Sequence, residues 1–167
     1  MLHKMHFEDS RGAVTWQVSA RDYGKPANDE STSQPRILVL QRELVPNLSL
    51  ISSIAGAGFD PVGPFNKVSR AISWLGRELP DAAILDTELK DGACFDLANE
   101  FLRERIPFLF YTSRSDRDRI PTKMRNLPFL EKPTHFVLVT KLLSKLHRDG
   151  QVLEAESEDD VELLEDW

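Results

Sequence analysis

Three apolar runs in this chain each deliver a polar side chain of a different kind. Asp81-Ala-Ala-Ile-Leu-Asp86 ends in a carboxylate, Ile106-Pro-Phe-Leu-Phe-Tyr111 leads into the hydroxyl of Thr112, and Leu127-Pro-Phe-Leu-Glu131 leads into the ammonium of Lys132 and then Pro133. A short continuous apolar run closed by a polar residue is the mark of a buried parallel strand. In open α/β sheets, sites form just beyond the carboxyl ends of the strands. Asp, Thr and Lys are each common at strand ends, so no one of the three means much alone. In this order, with helical stretches between them, they predict an acid, a hydroxyl and a cation gathered at one edge of a sheet.

The elements that must position them follow from periodicity. Arg36-Ile-Leu-Val-Leu40 is the first clear strand. Leu44 to Ala57 carries Leu44, Leu48, Ile51 and Ala55 at helical spacing, with Pro46 in the first turn and Gly56 and Gly58 at the close. Phe59-Asp-Pro-Val62 is a short second strand. Val68 to Leu79 places Val68, Ala71, Ile72 and Leu75 on one face before Pro80 stops it. After the Asp86 strand and an Asp91-Gly92 turn, Ala93 to Arg105 is helical, with Leu97, Ala98, Phe101 and Leu102 inward. Ser113 to Asn126 is polar and basic, a loop with at most one short helix. Thr134 to His147 buries Val139, Leu142, Leu143 and Leu146. Five β/α units imply a parallel sheet with helices on both faces and right-handed crossovers. At this size the expected architecture is α/β, a flavodoxin-like doubly wound five-stranded parallel sheet of order 2-1-3-4-5 with a weak fourth helix.

Composition narrows the function classes. The chain has 167 residues, enough for one domain with tails: an N-terminal extension and linker over 1–35, a domain over 36–148 and an acidic tail over 149–167. The lone Cys94 permits no internal disulfide, fits a reducing cytoplasm, and reads as a small packing residue rather than a reactive thiol. No apolar run is long enough for a membrane span, and no signal-peptide h-region is present. His3, His6, His135 and His147 lack ligand partners at helical spacing and read as surface residues. Zinc-ligand spacings and phosphate-cradling Gly-rich motifs are both missing. The net charge of −6 is uneven: eight acids and no base lie in 151–167, which leaves 36–150 mildly basic. That distribution argues against general nucleic-acid binding.

On Asp86, Thr112 and Lys132-Pro133, the stretch from about Arg36 to Arg148 resembles the receiver domain of two-component response regulators. Ile106 to Thr112, with the weak fourth helix, is similar to the bacterial single-domain subfamily named for a Phe-Ala-Thr-Gly-Tyr signature, although Tyr111-Thr112-Ser113-Arg114 departs from that signature. The resemblance implies that Asp86 accepts a phosphoryl group from a histidine kinase or phosphotransfer protein, as a carboxylate nucleophile forming an acyl phosphate. It implies that Lys132 and Thr112 contact the phosphoryl oxygens. It also implies that Mg²⁺ is held by Asp86 and the Thr87 carbonyl. The family has two acids after the first strand to hold that ion; Gln41 and Arg42 stand there instead. One added positive charge about 5 Å away costs a cation roughly 3 kcal/mol at an effective dielectric of ~20. Magnesium binding is therefore expected to be weak unless Glu43 reaches the site, and Arg42 is a candidate built-in cation bridging to Asp86.

Two readings follow. One is a stand-alone, non-enzymatic phosphorylation-dependent receiver in the cytoplasm that acts through a downstream signalling protein. The other is a pseudo-receiver interaction module that no longer uses phosphate. Neither calls for nucleic acid or a membrane. Val14, Trp16 and Val18 alternate with polar residues as in a half-buried strand, either local order alone, an added edge strand, or a segment exchanged in an oligomer. The acidic tail, carrying Val152, Leu153, Val161, Leu163, Leu164 and Trp167, is expected either to be solvated or to dock on the basic run Arg114, Arg117, Arg119, Lys123 and Arg125.

Overall fold

The computed structural model describes the backbone of residues 3–9 and 12–18, and residues 33–149 in full. The linker read at Gly24 to Pro35 falls almost wholly outside these residues, and the tail, apart from Asp149, falls outside them. Strands β1 (His3–Asp9) and β2 (Gly12–Val18) form an antiparallel hairpin with Met5 opposite Trp16. The alternating segment thus has a local partner, which the sequence reading did not foresee, and it is not an edge strand of the main sheet. The side chains of His3, His6, Val14, Trp16 and Val18 lie outside what is described.

The main sheet is parallel throughout: β3 (Arg36–Leu40), β4 (Asp60–Phe65), β5 (Ala82–Leu85), β8 (Phe108–Ser113) and β9 (Phe129–Lys132), in spatial order β4-β3-β5-β8-β9. Counting only these five strands, that order is the expected 2-1-3-4-5. A two-residue-strand hairpin, β6 (Glu88–Leu89) and β7 (Gly92–Ala93), follows β5. Strand β3 sits near the middle and is fully buried from Ile37 to Leu40, so both of its faces must be apolar. Leu38 and Leu40 face one core with Ala71, Leu75, Leu97 and Phe101 of helices α2 (Val68–Leu75) and α3 (Phe95–Arg103). Ile37 and Val39 face the other core, with Leu50 and Ile54 of α1 (Leu48–Gly56) and Val139, Leu143 and Leu146 of α5 (Phe136–Asp149).

Several bounds move from those read in the sequence. Pro46 lies in a 3₁₀ turn, Val45–Asn47, and α1 begins only at Leu48. Helix α2 ends at Leu75, ahead of Gly76, rather than at Leu79. Strand β4 runs to Phe65, past the expected Val62, through a bulge at Gly63. There φ is +111°, and a Cβ would lie 2.6 Å from the Val39 carbonyl oxygen, so only glycine fits. The fourth helix, α4, is a single turn, Arg114–Arg117. Leu102 and Leu142 are half-buried rather than core. His147 is not a free surface residue: its ring packs edge-on to Phe59 at 5.9 Å. No described helix is long and apolar enough to cross a membrane.

Candidate phosphoacceptor site

Asp86 is the first residue beyond β5, and its backbone N–H donates to the Leu40 carbonyl at 2.8 Å. That bond fixes it between the ends of β3 and β8. The residue is 4 % exposed, so its carboxylate needs internal partners. Three are present. Thr112 Oγ1 donates to Oδ1 at 2.7 Å. Lys132 Nζ donates to Oδ2 at 2.9 Å, and the Arg42 backbone N–H donates to the same oxygen at 3.2 Å. The acid, hydroxyl and cation read from the sequence do meet. Thr112 and Lys132, however, lie inside β8 and β9 rather than beyond them, opposite Glu131 and Ser113 respectively.

Neighbouring side chains complete the network. Thr87 Oγ1 and Thr112 Oγ1 share a 2.9 Å hydrogen bond, both groups fully buried. The Lys132 ammonium lies 5.1 Å from the centroid of the Tyr111 ring, a cation–π contact. Burial raises the Tyr111 pKa; a hydrogen bond with the Thr134 backbone opposes the shift and the Asp86 charge adds to it. Cys94, as expected, is buried and packs in the core. Burial first, and the nearby Asp86 charge second, push its thiol far above the ordinary range and keep it protonated.

Gln41, Arg42 and Glu43 take separate paths. The Gln41 backbone N–H donates to the Phe65 carbonyl at 2.9 Å, and the residue is fully buried. Its Nε2 makes a long 3.4 Å bond to the Tyr111 carbonyl, and its Oε1 has no partner. Arg42 and Glu43 are exposed. The Arg42 guanidinium forms no ion pair with Asp86; only its backbone N–H reaches the carboxylate, so the expected side-chain bridge is replaced by an amide contact.

The solution structure of SdrG from Sphingomonas melonis Fr1 matches this fold with 30 % identity over 68 % of the chain and 96 % of SdrG, at a TM-score of 0.59. The receiver domain of the PhyR response regulator from Erythrobacter litoralis matches with 17 % identity over 71 % of the chain and 92 % of its own, at a TM-score of 0.61. The chain belongs to the response regulator receiver family. No protein-family model and no curated protein sequence matches it.

Receivers include one that holds magnesium: the receiver domain of the sensor kinase PA1611 from Pseudomonas aeruginosa, solved with the ion in its active-site cleft, is 17 % identical over 70 % of this chain and 99 % of its own, with a TM-score of 0.56. Magnesium demands near-octahedral oxygen ligands, including carboxylates, at about 2.0–2.1 Å. The described residues of this receiver contain no group of three acidic, histidine or cysteine side chains that could hold a metal. Asp86 already accepts three hydrogen bonds, and the Thr87 carbonyl accepts the Cys94 N–H at 3.0 Å. Gln41 Oε1 offers one neutral oxygen, inside the protein. This donor set does not fit the ion.

Proposed function

We propose that this receiver is a module of two-component signalling that works by protein contact, with Asp86 as its phosphoacceptor. The contact of Thr112 Oγ1 and Lys132 Nζ with the two oxygens of one buried carboxylate carries the reading. In the reaction, an Asp86 oxygen attacks the phosphorus of a phosphohistidine on a kinase or phosphotransfer protein. The P–N bond breaks, the imidazole leaves with its electron pair, and an acyl phosphate remains. Lys132 then turns to one phosphoryl oxygen and the Thr112 hydroxyl to another. That shift of Thr112 biases a two-state equilibrium read by a downstream protein. The chain turns over no small molecule in this scheme. Cytoplasmic location and the domain division at 36–148 belong to the same reading.

Incubation with phosphoramidate, read by intact mass, tests it. A gain of about 80 Da, one phosphoryl group, is expected in the wild type and not in Asp86→Asn. A second reading is favoured by Gln41 and Arg42 standing where acids would be: a pseudo-receiver that binds partners without phosphate. No adduct on wild type, together with partner binding unchanged in Asp86→Asn, would establish that reading instead.

A further inference from the structure

We infer that the site has been rebuilt to work without a divalent cation, with Lys132 as its resident charge and Gln41 as a strap across the sheet edge. The inference concerns the same site as the phosphoacceptor reading and rests on its being the reactive centre.

Charge gives the first argument. Asp86 and Lys132 form a neutral pair at 2.9 Å, and residues 41 and 42 add no negative charge. A cation entering the site meets the Lys132 ammonium with no acid at 41 or 42 to offset it. Coordination gives the second. Thr112, Lys132 and the Arg42 amide already occupy three of the roughly four acceptor positions of the Asp86 carboxylate, so a metal is left one position and no second carboxylate beside it.

Gln41 gives the third, and it separates a rebuilt site from one that has merely lost its acids. Its backbone N–H holds β4 through Phe65, while its side chain reaches past the end of β5 to the Tyr111 carbonyl on β8. The amide crosses the sheet edge just where Asp86 emerges. A carboxylate in that pose would set an anionic oxygen against the Tyr111 carbonyl oxygen, with no donor between them. Only the amide nitrogen makes the contact. A glutamate at 41 is therefore incompatible with this packing, and Gln41 is a positioning residue suited to an ion-free edge.

Manganese broadening of amide signals, on the full-length wild-type chain, decides the first half. The expected result is no broadening at residues 86, 87 and 112 above that seen at exposed acids. Selective broadening there overturns the inference. The second half is tested by thermal melts of wild type and Gln41→Asp/Arg42→Asp with added Mg²⁺. The double variant is expected to gain a magnesium-dependent rise in Tm that the wild type lacks; about 2.7 kcal/mol corresponds to ligand at 100 times Kd. A double variant that folds yet ignores magnesium overturns the assignment to residues 41 and 42. If it does not fold, the manganese experiment still decides for or against an ion. Phosphoramidate treatment in EDTA keeps the two readings apart. An adduct on Asp86 that needs Mg²⁺ ends the cation-free inference and leaves the phosphoacceptor standing. No adduct, with no manganese broadening, ends the phosphoacceptor reading and leaves the cation-free site.

Discussion

Thr112 is the hinge of the site at the scale of single residues. Its hydroxyl donates to a buried carboxylate and shares a second bond with Thr87. Thr112→Val keeps the shape but leaves Asp86 Oδ1 without its donor and the Thr87 hydroxyl without its partner. Hydrogen bonds to charged groups contribute about 1.5–3 kcal/mol, so a loss near 2 kcal/mol is expected in urea unfolding. Thr112→Ser keeps both bonds and is expected to cost under about 1 kcal/mol. Equal losses in the two variants would mean that packing, not the hydroxyl, matters. The triad was legible in the sequence because strand ends are legible: burial on both faces forces a continuous apolar run, and the first polar residue marks where the strand leaves the core. Which atoms of Gln41 and Arg42 face the site was not legible. That depends on the bulge at Gly63, which brings Phe65 opposite Leu40 and so fixes where the chain turns after β3. The contacts of the Tyr111 ring and the Thr87 hydroxyl have no sequence signal, although each residue adjoins a member of the triad. Adjacency in a strand sends neighbours to opposite faces, and only the sheet edge brings them back together.

At the scale of elements, the short loops after the strands have structural duties that periodicity does not show. Lys67, at the start of α2, makes no side-chain cap. The cap comes from Asp91, in the turn between β6 and β7: its Oδ1 accepts from the Val68 N–H at 2.7 Å and its Oδ2 from the Ser69 N–H at 3.1 Å. Burial tends to raise the Asp91 pKa, but the bonds from Ser69 and Val68 outweigh it and hold the carboxyl below its ordinary 3.8. A depressed carboxyl stabilises the fold above its unfolded pKa and loses that contribution as pH falls through the folded value. Asp91→Ala is therefore expected to cost about 1 kcal/mol at pH 7, in line with a lost helix cap. The difference from wild type should fade as the solution is acidified below pH 3.8. A gap that stays constant to about pH 2 would show that charge is not what caps α2. The turn at Asp91-Gly92 and the helix α2 each have a local signal, but their pairing spans 23 positions in the chain. Long-range caps of this kind have no local signal. The β1–β2 hairpin escaped notice for a related reason. Alternation marked one strand, while His3 to Asp9, rich in charge and histidine, hid its partner.

At the scale of the whole molecule, charge is separated along the chain, and the fold shows where the basic part lies. Arg114, Arg117, Arg119, Lys123 and Arg125 are all exposed in the segment joining β8 to β9. Some are partly engaged: Arg117 covers the Phe129 ring at 4.9 Å, Arg119 meets Glu88 at 3.5 Å, and Arg125 bonds the Ile120 carbonyl at 3.2 Å. Arg114 and Lys123 have no ion pair among the described residues. The acidic residues 150–167 continue from the end of α5, and an extended chain spans about 3.3 Å per residue, so this segment is long enough to reach any face of the domain. Tethering raises the effective concentration of one partner to the millimolar range, where even a weak ionic contact is populated. A synthetic peptide of residues 150–167, added to a chain ending at Asp149, is expected to shift amide signals of residues 114–125 at low salt. The shifts should vanish near 0.5 M salt, where the Debye length falls to roughly 4 Å. Arg114→Glu with Lys123→Glu should weaken the effect severalfold and leave the melting temperature within a few degrees, because both side chains are exposed and make no described ion pair. Shifts confined to other surfaces, or none at low salt, would leave the basic segment to a separate partner protein. The tail would then be a solvated appendage of the receiver rather than a ligand for it.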